Sequence, residues 1–384
     1  MLLVEPHGEL GGAQDVILRL AAGADRQLFD PYLLFLSEGE TVENACRLGI
    51  PTECITLQRT NLSTTARVRA LIHYLRALRP DVVHNDAMPQ LLPVTLATRL
   101  RRVPLVWHQQ DPIRPDSPGV QRFLRLVNRV PPQATVFGTQ VARDTIAPNI
   151  PRLRRASLVI NGVDPPESFM PTEEARRRAS LPTEGRLVSM FGRLVEHKHN
   201  RLLINAAPTI LAAHPDVHFV MVGPSEASFA HELREHAASL GVTDRVHLTG
   251  AVAEDLKWGL LAGSSVLVHA SSYEPFGLVL VEAMLAGAPV VAARAWGPTE
   301  IVDNGRTGLL FDIGDLAALE RSVERMLSDP ALRDLVVEQA RESAHERFSF
   351  ERSLRQVENV WTEVARPSSG RRTPRRNASG STSL

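Results

Sequence analysis

Along this chain, short apolar runs rich in β-branched residues alternate with longer stretches whose apolar positions recur at helical spacing. In the first half the runs LLVE (2–5), YLLFL (32–36), ECITL (53–57), DVVH (81–84), PLVWH (104–108) and ATVFG (134–138) read as strands. Between them, Thr64–Leu78 and Gln90–Leu100 read as helices. The alternation repeats in the second half, with strands expected at 187–192, 217–223, 245–250, 266–271 and 289–293, and helices such as Leu202–Ala213 and Ser228–Leu240. Strands alternating with helices predict parallel sheets with crossover helices, here as two Rossmann-like units in tandem.

The proline-rich stretch NGVDPPESFMPTEE divides the two units. The expected division is a first domain at 1–156, a linker region at 157–186, a second domain at 187–348, and a final helix at 349–365 that packs back on the first domain. Residues 366–384, with five arginines and no acid, are expected to be disordered. A length of 384 residues is too much for one ordinary core and agrees with two domains.

Charge narrows the classes. Acidic and basic residues balance at 43 each, so global charge gives no sign of nucleic-acid binding. Only Lys198 and Lys257 are lysines, and the other 41 basic residues are arginines, which marks each lysine for inspection. Two cysteines, Cys46 and Cys54, fit a reducing compartment, although the two could pair. With no long apolar span and no leader pattern, the chain is read as cytoplasmic.

In parallel sheets, ligands gather where strands end, so the loops after the strands carry the candidate chemistry. Gly11 and Gly12 precede a helix after the first strand, as an anion site or as a tight turn. The spacing is neither that of a dinucleotide fingerprint nor that of a P-loop, which disfavours a dinucleotide oxidoreductase. Arg193 and Lys198 share the loop FGRLVEHKHN, where both can reach one phosphate or simply face solvent. The segment SSYEPFGLVLVEAMLAGAPVVAAR holds Glu274 and, after seven intervening residues, Glu282. Its helix is expected to start near Phe276–Gly277, with Pro275 in the first turn, so that Gly277 and Leu278 offer backbone N–H groups to a phosphate. Glu282, two turns on in an apolar helix, needs partners. Ribose hydroxyls would serve, and so would a neighbouring arginine. Among the residues that follow, only Gly297, Pro298 and Thr299 are expected to face the cleft.

These pieces together resemble the GT-B glycosyltransferases of the large retaining family 4, whose E-x7-E motif matches Glu274 and Glu282. The matching segments are GELGGAQ (8–14), NGVD (161–164), FGRLVEHK (191–198), EPFGLVLVEAMLAGAPVV (274–291) and GPTEIVDNGRTGLLF (297–311). The resemblance implies a GT-B fold, two Rossmann-like domains facing a central cleft, with the acceptor on the first and the donor on the second. It implies that Arg193, Lys198 and the backbone of Gly277 and Leu278 bind the donor diphosphate, that Glu282 holds the ribose and that Glu274 holds the transferred sugar. Gly12 would approach the diphosphate from across the cleft, and His108 would lie beside the sugar. The implied reaction is metal-independent transfer from a nucleotide diphosphate sugar with retained configuration. No bound cofactor is expected beyond that donor substrate, and the departing phosphate would take the acceptor's proton. The acceptor would be a glycan, a lipid-linked molecule or a small molecule.

The chain departs from the family pattern at His199–Asn200, where glycine usually follows the lysine, and at Asp86, where a second histidine usually stands. The first departure raises the expectation of an altered loop backbone. Residues 1–155 hold 19 arginines against 14 acids, with RLRR at 99–102 and again at 152–155. These are solvated faces or a peripheral contact with an anionic membrane at its inner face. The rival readings are a nucleotide-sugar epimerase of the same fold and a non-catalytic nucleotide-sugar binding protein.

Overall fold

A computed structural model describes residues 1–365 except positions 10, 58–62, 87, 89 and 114–116. The arginine-rich segment 366–384, expected to be disordered, lies outside the described residues. Strands β1 (Leu2–Glu5), β2 (Tyr32–Phe35), β3 (Thr52–Cys54), β4 (Val83–Asp86), β5 (Leu105–Gln109), β6 (Ala134–Phe137) and β7 (Ala156–Leu158) form one parallel sheet in the order β3-β2-β1-β4-β5-β6-β7. Strands β8 (Arg186–Phe191), β9 (Val217–Val222), β10 (Val246–Gly250), β11 (Ser264–His269), β12 (Val290–Ala293) and β13 (Leu309–Phe311) form a second, in the order β10-β9-β8-β11-β12-β13. The chain is α/β, with two Rossmann-like domains.

Both sheets are covered on both faces, and this explains why the strands read as nearly continuous apolar runs. Leu2 and Val4 enter one core and Leu3 the opposite one. Val290 and Ala292 likewise enter one core of the second sheet, and Val291 and Ala293 the other. In each sheet the strand order reverses once, between β1 and β4 and between β8 and β11. Crevices for ligands open at such switch points, beyond the carboxyl ends of the strands.

The chain crosses between the domains twice, side by side. Val163 N–H donates to the Phe348 carbonyl at 2.8 Å. Gly162 passes so close that a Cβ there would meet the Ser349 carbonyl at 2.5 Å, so this position of NGVD is closed to any side chain. Asp164 then accepts the N–H groups of Phe350 and Glu351, opening the helix Phe350–Ala365. That helix lies on the N-terminal domain, where Leu354, Val357, Trp361 and Val364 join its core. Trp361 is fully buried and donates to His84 Nδ1 at 2.9 Å. Losing a buried tryptophan of this kind costs about 3–5 kcal/mol.

Candidate functional site

The second domain contributes the loops after β8 and β11. Lys198 closes a short 3-10 turn, Glu196–Lys198, and its Nζ donates to Glu274 Oε2 at 2.5 Å. His269, the last residue of β11, donates Nε2 to the same oxygen at 3.0 Å. Burial alone would raise the Glu274 carboxyl, but the His269 hydrogen bond and the Lys198 charge pull it down to about 2. Glu274 is therefore a carboxylate at any working pH. Arg193 sits exposed on the same loop as Lys198. His199 adopts the left-handed conformation, φ 55 and ψ 40. The backbone thus follows a path that glycine takes without strain, where histidine bears about 1 kcal/mol or more. The altered backbone anticipated at His199–Asn200 is not needed for this turn.

Gly277 caps the helix Leu278–Ala286 with φ +102, a conformation that favours glycine. Pro275 lies two residues ahead of this cap rather than in the first turn, because the helix begins at Leu278. Glu282 lies on the second turn with 4% exposure. Lys257, from the helix Glu254–Ala262, donates to Glu282 Oε1 at 2.8 Å and pairs with Glu254 at 2.9 Å. Arg19, from the first domain's helix Gly12–Gly23, reaches 3.9 Å from the same Glu282 oxygen and 3.8 Å from Glu254. Burial raises the Glu282 carboxyl despite Lys257, opposite to Glu274. The two lysines of the chain each pair with one of the two glutamates.

The first domain meets this surface with the ends of β1, β4 and β5. A Cβ on Gly12 would stand 3.9 Å from Leu278 Cδ1, and Leu278 packs against cores of both domains. Gly11 caps the helix Gly12–Gly23, so the starts of this helix and of Leu278–Ala286 approach one another. Each carries partial positive charge on its free N–H groups. Glu300 ties the domains further, accepting the N–H groups of Gln140 and Val141 at 3.0 and 2.7 Å.

Beneath the glycine loop lies a buried polar cluster. His108 is 1% exposed, its Nδ1 is 4.0 Å from Asp86 Oδ1, and its ring stands edge-on to His84. Neither ring nitrogen has a hydrogen-bond partner among the described residues. Burial pushes its pKa down to about 4, so the ring is neutral. Glu5 and Asp86, both fully buried, are neighbours whose carboxyls burial raises, Glu5 to about 7 and Asp86 well above the usual range. Glu5 Oε2 has no hydrogen-bond partner among the described residues. Glu5 Oε1 accepts from His7 N–H and Gln14 Nε2, so the pair anchors the glycine loop. Gln110 Nε2 donates to both Asp86 oxygens, and Gln110 Oε1 accepts from Asn161 of NGVD.

The structure thus brings Lys198 to Glu274 beside Gly277 and Leu278, and Leu278 to Gly12 and its neighbour Gly11, with Glu282 buried beside Lys257, Arg193 exposed on the Lys198 loop and His108 under the floor. Sequence reasoning passed over His269, Arg19 and Glu5. His269 and Glu5 carried a legible signal, a titratable residue closing an apolar strand. Lys257 was marked by rarity alone. Among the described residues no cluster of His, Cys, Asp and Glu suits a metal ion.

Both halves of the chain are similar to known proteins. Residues 10–167 match the family model "Glycosyltransferase Family 4", and residues 171–343 match "Glycosyl transferases group 1". The lipopolysaccharide core biosynthesis glycosyltransferase LpsE of Rhizobium meliloti is 34% identical over 176 residues, 46% of this chain and 49% of that protein. A D-inositol 3-phosphate glycosyltransferase of Acidothermus cellulolyticus is 35% identical over 197 residues, 50% of this chain and 44% of that protein. The chain thus spans about half the length of the curated relatives it matches. Among solved structures, Anabaena Alr3699/HepE in complex with UDP and glucose superposes with a TM-score of 0.81 at 24% identity, covering 94% of this chain and 99% of that one. A glycosyltransferase from Rickettsia africae gives a TM-score of 0.82 at 18% identity, covering 96% and 98%. Both halves of the chain therefore match glycosyltransferase family models, in the order and on the fold of a GT-B glycosyltransferase.

Proposed function

We propose that the chain is a retaining glycosyltransferase that moves a sugar from a nucleoside diphosphate sugar to a hydroxyl of a glycan, lipid-linked or small-molecule acceptor. The observation that carries this reading is the Lys198–Glu274 pair beside two facing helix starts. A diphosphate between the starts of Gly12–Gly23 and Leu278–Ala286 would meet free N–H groups from both domains, with Arg193 and Lys198 supplying full charges. Negative charge builds on the diphosphate as the glycosidic bond breaks, and these groups stand ready where it develops. In this scheme no metal is required. Lys198 would then exchange its contact with Glu274 for one with phosphate, and Glu274 would accept hydroxyls of the sugar.

Glu282 would face the ribose, with Lys257 and Arg19 offsetting its burial. Neutral His108 lies buried beneath this floor, so it would act on the sugar's side of the site through the buried cluster and not by a direct contact. The departing phosphate would take the acceptor's proton on the face it leaves, so no separate base is assigned. The UDP and UDP-glucose complexes of Alr3699/HepE support a nucleotide-sugar donor. The test is a panel of nucleotide sugars, scored for thermal stabilisation and for slow release of nucleoside diphosphate without acceptor. A donor that stabilises and is slowly hydrolysed is expected. An epimerised donor with no diphosphate released would replace the transferase reading with the epimerase, and binding with no release under any acceptor would leave a binding protein.

A further inference from the structure

A second concentration of charge lies at the edge of the N-terminal sheet opposite the cleft. Val103 and Pro104 precede β5, Gln133 precedes β6 and Arg155 precedes β7, so the groove they line sits at the amino ends of the strands. Its volume is about 1390 Å³. Arg99, Arg102, Arg129, Arg152, Arg154 and Arg155 line it against only Asp81 and Glu363, leaving four net positive charges. These arginines are separated by as many as 56 positions in sequence, and the topology brings them together at one strand edge. Among the described residues none of the six is in an ion pair. Arg155 donates one N–H to the Glu363 carbonyl at 3.2 Å.

Guanidiniums gathered along one concavity repel one another, and a polyanion seated among them relieves that repulsion. A guanidinium fork matches a phosphate with two parallel hydrogen bonds, and the groove is far larger than one phosphate needs. We propose that this groove is a binding site for a free ligand carrying several phosphates, separate from the donor cleft. A lipid headgroup offers the same chemistry, but β5 alone is five residues, about 17 Å, and stands between groove and cleft. A bilayer held at the groove would hold its own lipids away from the reacting groups, so the free anion is the source the geometry favours.

The test is titration calorimetry of the full chain with inorganic tripolyphosphate at low and physiological salt. The donor cleft is itself expected to take anions, so the comparison uses Lys198→Ala, which weakens the cleft, and the triple variant Arg102→Gln, Arg152→Gln, Arg154→Gln, which weakens the groove. All three substitutions are on exposed side chains, and an unchanged thermal unfolding curve confirms the fold. Lys198→Ala is expected to keep the groove's binding, and the triple variant to lose at least tenfold in affinity. Equal binding by the triple variant and the native chain, or loss of all binding in Lys198→Ala alone, would overturn the proposal. So would flotation with phosphatidylglycerol vesicles that depends on the three arginines while tripolyphosphate fails to bind.

Discussion

Replacing Lys257 with methionine keeps the aliphatic stem and removes the charge that faces Glu282. The carboxylate left behind has a side chain 6% exposed, with Arg19 still 3.9 Å from its Oε1. Breaking a buried pair by deleting one partner costs about 3–5 kcal/mol. Arg19 remains and Lys257 was 20% exposed, so the expected loss lies near the lower end, about 3 kcal/mol. With a urea slope of about 2 kcal/mol per molar, the unfolding midpoint of the second domain falls by about 1.5 M. Trp258, adjacent in sequence and stacked on Phe169, is a local fluorescence reporter.

The penalty also depends on pH. Without Lys257 the Glu282 carboxyl rises further above its unfolded value, so the native state takes up a proton and the loss shrinks as pH falls toward 5. Glu282→Gln removes the charge instead of orphaning it, and Lys257 keeps Glu254 at 2.9 Å, so this variant costs about 1 kcal/mol. A loss below about 1 kcal/mol in Lys257→Met, or a loss equal at pH 5 and pH 8, would refute the assignment of Lys257 as the partner of a buried carboxylate.

Three further outcomes are expected. Lys198→Ala should lower turnover by at least 100-fold while the unfolding midpoint falls less than in Lys257→Met, because His269 keeps its hydrogen bond to Glu274 at 3.0 Å; unchanged turnover would sink the donor-site reading. Glu5→Gln should weaken a pH dependence of stability: a carboxyl lifted from 4.5 to about 7 contributes about 3 kcal/mol that is fully present below pH 4.5 and lost as pH rises through 7, so the gap between urea unfolding at pH 5 and pH 8 should narrow in the variant, with Asp86 still titrating. An unaltered pH slope would mean that Glu5 is not the group that titrates. Asp164→Ala removes the acceptor for two N–H groups at the start of the final helix and should cost about 1–2 kcal/mol, measured by urea unfolding of the native chain and the variant. Loss within error would mean that the helix start is satisfied by water alone.

Much of the architecture was legible because both sheets are buried on both faces. The helix Thr64–Leu78 has the bounds its apolar spacing implied. The strand read at 81–84 instead runs Val83–Asp86, because its pairing with β1 begins at Val83 and carries on through polar residues. Hydropathy stops where the chemistry starts, so Asn85 and Asp86 fall outside the expected strand although the ladder includes them. ECITL was read too long, since only Thr52–Cys54 pairs with β2. Strand β7 carries little sequence signal because it is three residues long with a serine at its centre. In the site, the lysine count pointed at Lys198 and Lys257 without saying what each would touch. The approach of Arg19 to Glu282 spans 263 positions and two domains, and no local pattern encodes such a meeting.

The return of the last helix to the first domain bears on the order in which the molecule can be completed during synthesis. Residues 1–160 leave the ribosome with the seat of Trp361 uncovered, including His84 and the edge of Phe29 that the indole meets at 5.3 Å. The second domain, encoded wholly between the two crossings, can close its sheet before that seat is filled. The domain begun first is therefore finished last, and it is complete only once the chain has been released as far as Ala365.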